Sequence, residues 1–103
     1  MSLLLFNTTF SVSDREYGWW VNWMSQSYLP ALQQAAPDAS HELFVVDGVQ
    51  QDGARAFSSQ WRTASIASLG AIRQLSSRLC QQMMHDKGEA CLAFSALMKQ
   101  VDL

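Results

Sequence analysis

His41, His85, Cys80 and Cys91 are the residues of this chain best suited to proton transfer, nucleophilic attack or metal binding, and their spacing assembles none of these. Cys80 and His85 stand five apart, a poor same-face spacing on a helix, and Cys91 has no second Cys/His cluster to join. Structural zinc takes four ligands in close sequence pairs, so no metal site is expected. His85 falls near the end of an expected helix, where a cation is favoured by the helix dipole in any case. No glycine-rich phosphate loop and no nucleophile elbow is present. The acids Asp14, Glu16, Glu42, Asp47, Asp52, Asp86, Glu89 and Asp102 fall at caps, turns and strand ends, where solvation is the default. Neither a catalytic residue nor a cofactor is expected from these groups.

Neutral amides and hydroxyls offer more, and their use depends on the elements that carry them. Residues 3–12, "LLLFNTTFSV", alternate as a strand, with Leu4, Phe6, Phe10 and Val12 on one parity and Leu5, Asn7 and Thr9 on the other. Ser13-Asp14-Arg15-Glu16 reads as a capping box, so a helix begins near Asp14. Pro30 lacks an amide donor and is expected to kink or restart that helix, which stops before Pro37. "HELFVVD" at 41–47 is a second strand, and Asp47-Gly48 and Asp52-Gly53 bracket a hairpin loop. "ARAFSSQWR" at 54–62 is the third strand. Ser65 is placed to cap a second helix with a stripe of Ile66, Leu69, Ile72, Leu75, Leu79 and Met83, and Gly88 to end it. Residues 89–99 close the chain as a fourth strand.

The order β-α-β-β-α-β with right-handed crossovers predicts an α+β, ferredoxin-like sandwich spanning 1–103 as one domain. Its antiparallel sheet has the spatial order 4-1-3-2, both helices lie on one face, and the other face is bare. If Leu4, Phe6 and Phe10 face the helices, Asn7 and Thr9 face outward. Ser58 and Gln60 share a parity on the adjoining third strand, and Ser95 could join them from the fourth. Phe57 and Trp61 can claim either face, so the third strand's orientation stays open. A neutral polar patch of this kind is either a solvated or dimer-covered face with its hydrogen bonds satisfied, or the lining of a small-ligand cavity.

The chain is 49% apolar and 16% charged, with a formal charge of −2. Charge is scarce against the roughly 25% of an average soluble domain, which suggests that a partner covers part of the surface. The negative balance leaves no footprint for nucleic acid or an anionic membrane, and the third strand lacks the basic-aromatic pattern of RNA-recognition domains. "MSLLLF" is too short for a membrane span and has no positive n-region, so a cytoplasmic protein with reduced thiols is expected.

Three tryptophans fall within five positions, Trp19, Trp20 and Trp23. Tyr17, Trp20, Val21, Met24, Tyr28 and Leu32 form a broad stripe suited to the sheet, and Trp19 and Trp23 stack on its flank. That flank is either the rim of one thick core or a subunit interface.

"FNTTF", "WVNWMSQSYLP" and "SSQW" resemble a small bacterial family known as domain of unknown function 4286, whose members run about this whole length. Its members carry a Tyr-Asn-x-Thr-like first strand, a Trp-Met-x-x-x-His-Ile-Pro-like helix end and a glutamine in the third strand. Asn7, Thr9, Trp20, Trp23, Met24, Pro30 and Gln60 match, and Tyr28 stands where histidine is usual. The resemblance implies a dimeric α/β-barrel fold in which two ferredoxin-like sheets pack face to face, and it implies no activity. The first reading is a homodimer, non-catalytic, that binds a small molecule or a protein through its open sheet face at Asn7, Thr9, Tyr28, Ser58 and Gln60, with Trp19 and Trp23 at an interface. A subunit of a hetero-complex is the second reading. The third is a small cofactor-independent enzyme of the monooxygenase type that orients substrate with Asn7, Tyr28, Gln60 and His41.

Overall fold

The computed structural model describes residues 3–47 and 53–103. Gly48 and Asp52, two of the four residues expected to shape the hairpin loop, lie outside them. The strands are β1 (Leu4–Ser13), β2 (Ser40–Val45), β3 (Ala54–Thr63) and β4 (Cys91–Lys99), in the spatial order β2-β3-β1-β4. All pairs are antiparallel. This is the expected ferredoxin-like α+β sandwich. Among the described residues no helix is long and apolar enough to cross a membrane.

Alternation decides which face of each strand is covered. Phe6, Thr8, Phe10 and Val12 are buried in β1, and Phe57, Ser59, Trp61 and Thr63 in β3. Register puts Phe6 opposite Trp61, Thr8 opposite Ser59 and Phe10 opposite Phe57, so both inward rows lie on one face. The third strand's aromatics therefore point to the helices.

The first helical run has several pieces. A 3-10 turn (Asp14–Glu16) leads into α1 (Tyr17–Trp23), a π turn (Met24–Tyr28) and α2 (Leu29–Ala35). Pro30 accounts for the wide turn: it has no amide to give the carbonyl four residues back, and its ring needs room there. The expected restart at this proline thus takes the form of a π turn. Trp20, Met24, Tyr28 and Leu32 are buried from this run. Trp20 stacks on Phe57 with ring centroids 4.6 Å apart, and Tyr28 meets Phe10 edge-on at 5.5 Å.

The expected capping box does not form. Ser13 makes no side-chain cap bond; it is the last residue of β1, and the Asp14 amide donates to the Gly53 carbonyl at 2.8 Å. Glu16 is drawn away by Lys87, whose Nζ lies 2.9 Å from its carboxylate. The second cap is as expected: Ser65 Oγ accepts from the Ser68 amide at the start of α3 (Ile66–Lys87). Asp38, in the turn before β2, accepts from Thr63 and Ser68, and these two bonds lower its pKa.

In α3 the buried positions are Ile72, Ser76, Cys80 and Met83. The apolar stripe is rotated from the expected one: Leu69, Leu75 and Leu79 flank it, and Ile66 is 80% exposed in the first turn, ahead of the point where the helix meets the sheet. Gly88 ends α3 at φ 59°, a backbone setting that disfavours any residue with a Cβ. A short 3-10 turn (Gly88–Ala90) then delays β4 to Cys91.

Candidate functional site

The uncovered sheet face carries a line of polar groups set by the β1–β3 register. Asn7 lies opposite Gln60 and Thr9 opposite Ser58, with all four side chains on the face away from the helices. They are joined. Arg62 donates to Gln60 Oε1 at 3.3 Å, Gln60 Nε2 to Ser58 Oγ at 3.3 Å, and Ser58 Oγ to Asn7 Oδ1 at 2.5 Å. Asn7 Nδ2 then donates to Thr9 Oγ1 at 3.2 Å. Glu42, opposite Gln60 on β2, holds the far end through Arg62 at 3.7 Å.

Every bond in this ladder runs the same way, from Arg62 toward Thr9. Thr9 accepts a hydrogen bond from Asn7, and its own hydroxyl proton has no acceptor among the described residues. Aligned donors polarise one another, so the Thr9 hydroxyl is the outward-facing donor of a cooperative chain. The Nε of Arg62 is also buried without a partner among the described residues.

Apolar side chains flank the ladder. Phe44 on β2 lies opposite Ser58, and Phe94 on β4 lies opposite Thr9. They are 44% and 66% exposed. Leu5 and Met98 pair at the Arg62 end of the same face, where a cleft of about 270 Å³ also involves Leu3, Lys99 and Gln100.

A second polar cluster lies on the covered face, and sequence reasoning did not find it. Thr8, Ser59 and Ser76 are completely buried, as is Tyr28. The Tyr28 hydroxyl bonds Ser76 Oγ at 2.8 Å, and Ser76 lies 3.8 Å from the Cys80 sulfur. Thr8 bonds Ser95 at 2.9 Å, and Ser59 bonds His41 Nε2 at 2.7 Å. Burial pushes Tyr28 up to about 12, aided by the neighbouring Cys80, and pushes Cys80 up to about 11. Both groups are therefore locked in their neutral forms near neutral pH, the reverse of what a nucleophile or base needs. Burial likewise holds the His41 imidazolium below its ordinary pKa, with Glu42 pulling the other way.

The sheet thus divides the sequence-predicted residues. Asn7, Thr9, Ser58 and Gln60 meet on the open face. Tyr28 and His41 lie behind the sheet, so an enzyme site combining them with Asn7 and Gln60 is not assembled within the chain. Ser95 also lies on the covered side, because it pairs with Thr8 rather than with Asn7 or Thr9. The sequence signal for the missed cluster is small hydroxyls at inward parity: Thr8 between Phe6 and Phe10, and Ser59 between Phe57 and Trp61.

Trp19 and Trp23 stack with centroids 5.8 Å apart at 16°, half-buried on the rim of the core. Trp23 also meets Phe10 and Tyr28, and Lys87 Nζ sits 4.4 Å above the Trp19 ring. Much of this flank is packed by the chain itself.

A family model described as a domain of unknown function (DUF4286) matches residues 3–101. No curated protein matches the chain. Among solved structures, it is similar to a dimeric ferredoxin-like protein from an uncultured marine organism, with a TM-score of 0.66 at 7% identity over 100% of this chain and 99% of that one. A second dimeric ferredoxin-like protein from an uncultured marine organism gives a TM-score of 0.58 at 11% identity, covering 97% and 96% of the two chains. A de novo designed protein, Foldit4, gives 0.62 at 7% identity, covering 98% and 99%. At such identities the likeness is one of fold.

Proposed function

We propose that this chain, which belongs to the DUF4286 family, is a homodimeric, non-catalytic binding protein whose uncovered sheet face takes a small organic molecule. The directional ladder that ends on Thr9 beside Phe94 carries this reading. A ligand with a carbonyl or carboxylate oxygen to accept from Thr9 and an apolar body to lie along Phe94 matches that end of the face. Asn7, Ser58 and Gln60 hold the donor in place. Tyr28 supports the site only from behind, as part of the buried scaffold. The dimer is supported by the scarcity of charge and by the exposed apolar side chains of β4.

The test is an Asn7→Leu, Gln60→Leu double variant melted with and without fractions of a small-molecule cell extract. The expected result is that one or more fractions raise the wild-type melting temperature and leave the folded variant unchanged, since a ligand bound at 100 times its Kd adds about 2.7 kcal/mol to the native state. A wild type that no fraction stabilises, with a variant as stable or more so, would make the ladder a purely structural device. Sedimentation equilibrium at micromolar concentration should give twice the 11.5 kDa chain mass; a monomer would redirect the reading to a subunit of a hetero-complex.

A further inference from the structure

The sheet has two edges, and they are built differently. The β2 edge is six residues long and carries a histidine and a glutamate. The β4 edge is nine residues long, and its only charge, Lys99, is at its end. Short or charged edges resist further pairing, whereas a long, flat, apolar edge is an open template. β4 is apolar toward both sides: Phe94 and Met98 project from the open face, and Leu97 projects from the covered face at 46% exposure.

The bonding pattern gives the pairing register. The Gln100 amide donates to the Leu3 carbonyl at 3.2 Å, which extends the β1–β4 ladder by one bonded pair. Antiparallel bonding alternates along a strand, so Leu92, Phe94, Ala96 and Met98 turn their backbone groups to β1. Cys91, Ala93, Ser95, Leu97 and Lys99 then turn their amides and carbonyls outward, with no strand beyond them among the described residues.

We infer that the partner is a second copy of this chain, added antiparallel along β4 about a twofold axis at Ser95. The inference rests on the homodimer proposed above and names its surface. Ser95 is the midpoint of Cys91–Lys99 and an outward-bonding residue, so this axis overlaps the whole strand and pairs every outward amide and carbonyl. It also matches large side chains with small ones. Phe94 falls opposite the second copy's Ala96 on the open face, and Leu97 opposite its Ala93 on the covered face. A contact running the ~30 Å length of a nine-residue strand through a molecule 18 Å thick buries roughly 1,000 Å² over both copies, the lower bound of a specific interface. The two open faces become one continuous eight-stranded surface and both ligand ladders stay uncovered, an arrangement that departs from the face-to-face packing the family resemblance implies.

Ser95→Pro removes one outward amide and no backbone bond to β1, and proline is tolerated on an edge strand. It also removes the hydroxyl that bonds Thr8, so Ser95→Ala, which loses that bond but keeps the amide, is its control and should still dimerise. Sedimentation equilibrium should show its dimer dissociation constant raised roughly tenfold or more over wild type, with the near-ultraviolet tryptophan signal retained. Leu97→Lys, a substitution at a half-exposed position of the free chain, should do the same if the proline variant fails to fold. Phe44→Arg, on the open face at the opposite edge, should leave the dimer intact. A dimer that survives Ser95→Pro and Leu97→Lys but is lost in Phe44→Arg would overturn the edge assignment and place the copies face to face, with the homodimer itself standing. A wild-type monomer at 100 times the usual micromolar working concentration would overturn both.

Discussion

Replacing Tyr28 by phenylalanine removes one hydroxyl from the middle of the covered face and leaves the ring packed on Phe10 and Trp23. No partner is orphaned by the loss. Ser76 keeps Cys80 and can turn to the carbonyl one helical turn back, Thr8 keeps Ser95, and Ser59 keeps His41. The expected cost at neutral pH is therefore about 1 kcal/mol, one hydrogen bond's worth rather than an unsatisfied buried group. The alkaline limb is the sharper readout. Burial lifts the folded Tyr28 from 10.0 to about 12, so the folded chain holds that proton more tightly than the unfolded one. The stabilisation is complete below pH 10 and is lost as pH rises toward 12, at about 1.4 kcal/mol per pH unit and close to 3 kcal/mol in all. Cys80 titrates in an overlapping window, from 9.0 to about 11, and helps to raise Tyr28, so it is kept in the wild-type protein, where its own titration is common to both sides of the comparison. Urea unfolding of that protein with and without Tyr28→Phe, at pH 8 and near pH 11, measures both effects. The tyrosine protein should start about 1 kcal/mol more stable at pH 8 and lose that lead by the upper pH. A phenylalanine variant with an undiminished alkaline slope, or one that costs more than about 3 kcal/mol at pH 8, would refute the placement of this hydroxyl in a satisfied, buried cluster.

Cys80→Ala with Cys91→Ala should stay folded at a cost of roughly 1–3 kcal/mol in urea, since both are free and buried; stoichiometric zinc in the purified wild type would contradict this. Gly70 and Gly88 both have open space where a Cβ would stand, yet their alanine variants should differ in sign. Gly70→Ala, inside α3, should stabilise by about 0.5–1 kcal/mol. Gly88→Ala, held at positive φ, should destabilise by about 1–3 kcal/mol, and equal effects by thermal melting would count against the described end of the helix.

What the sequence made legible is what repeats. Two-residue alternation in β1 identifies Asn7 and Thr9 as outward, and the same rule applied to β3 brings Ser58 and Gln60 beside them once a register is known. The register was the missing piece, because Phe57 and Trp61 could have faced either way until Thr8 was seen opposite Ser59. Local rules failed where a distant residue competed. Glu16 belongs to a sound capping motif, but Lys87, at the far end of α3, takes its carboxylate. Ser76 and Cys80 look too polar and too small for a core stripe beside Leu75 and Leu79, and the bond between Ser76 and the Tyr28 hydroxyl that accompanies their burial comes from a residue 48 positions away, outside any local pattern. Tyr28 belongs to the helix stripe that packs on the covered face, so the placement of both helices on one side of the sheet itself excludes it from the open-face group.

The π turn at Met24–Tyr28 sets the phase of everything on either side of it. From Met24 the buried positions advance by fours, through Tyr28 and Leu32 to Ala36. In a regular α-helix each step of four overshoots a full turn by about 40°, so three steps would swing Ala36 some 120° off the sheet. A single widened turn absorbs part of that drift. It behaves as one residue spliced into a straight helix, on the solvent side where Ser25, Gln26 and Ser27 are exposed. The seam between Trp23 and Leu29 is thus the point where this helix can lose a residue and still be a helix, but with Trp20 rotated out of register with the Tyr28 that now anchors the other half.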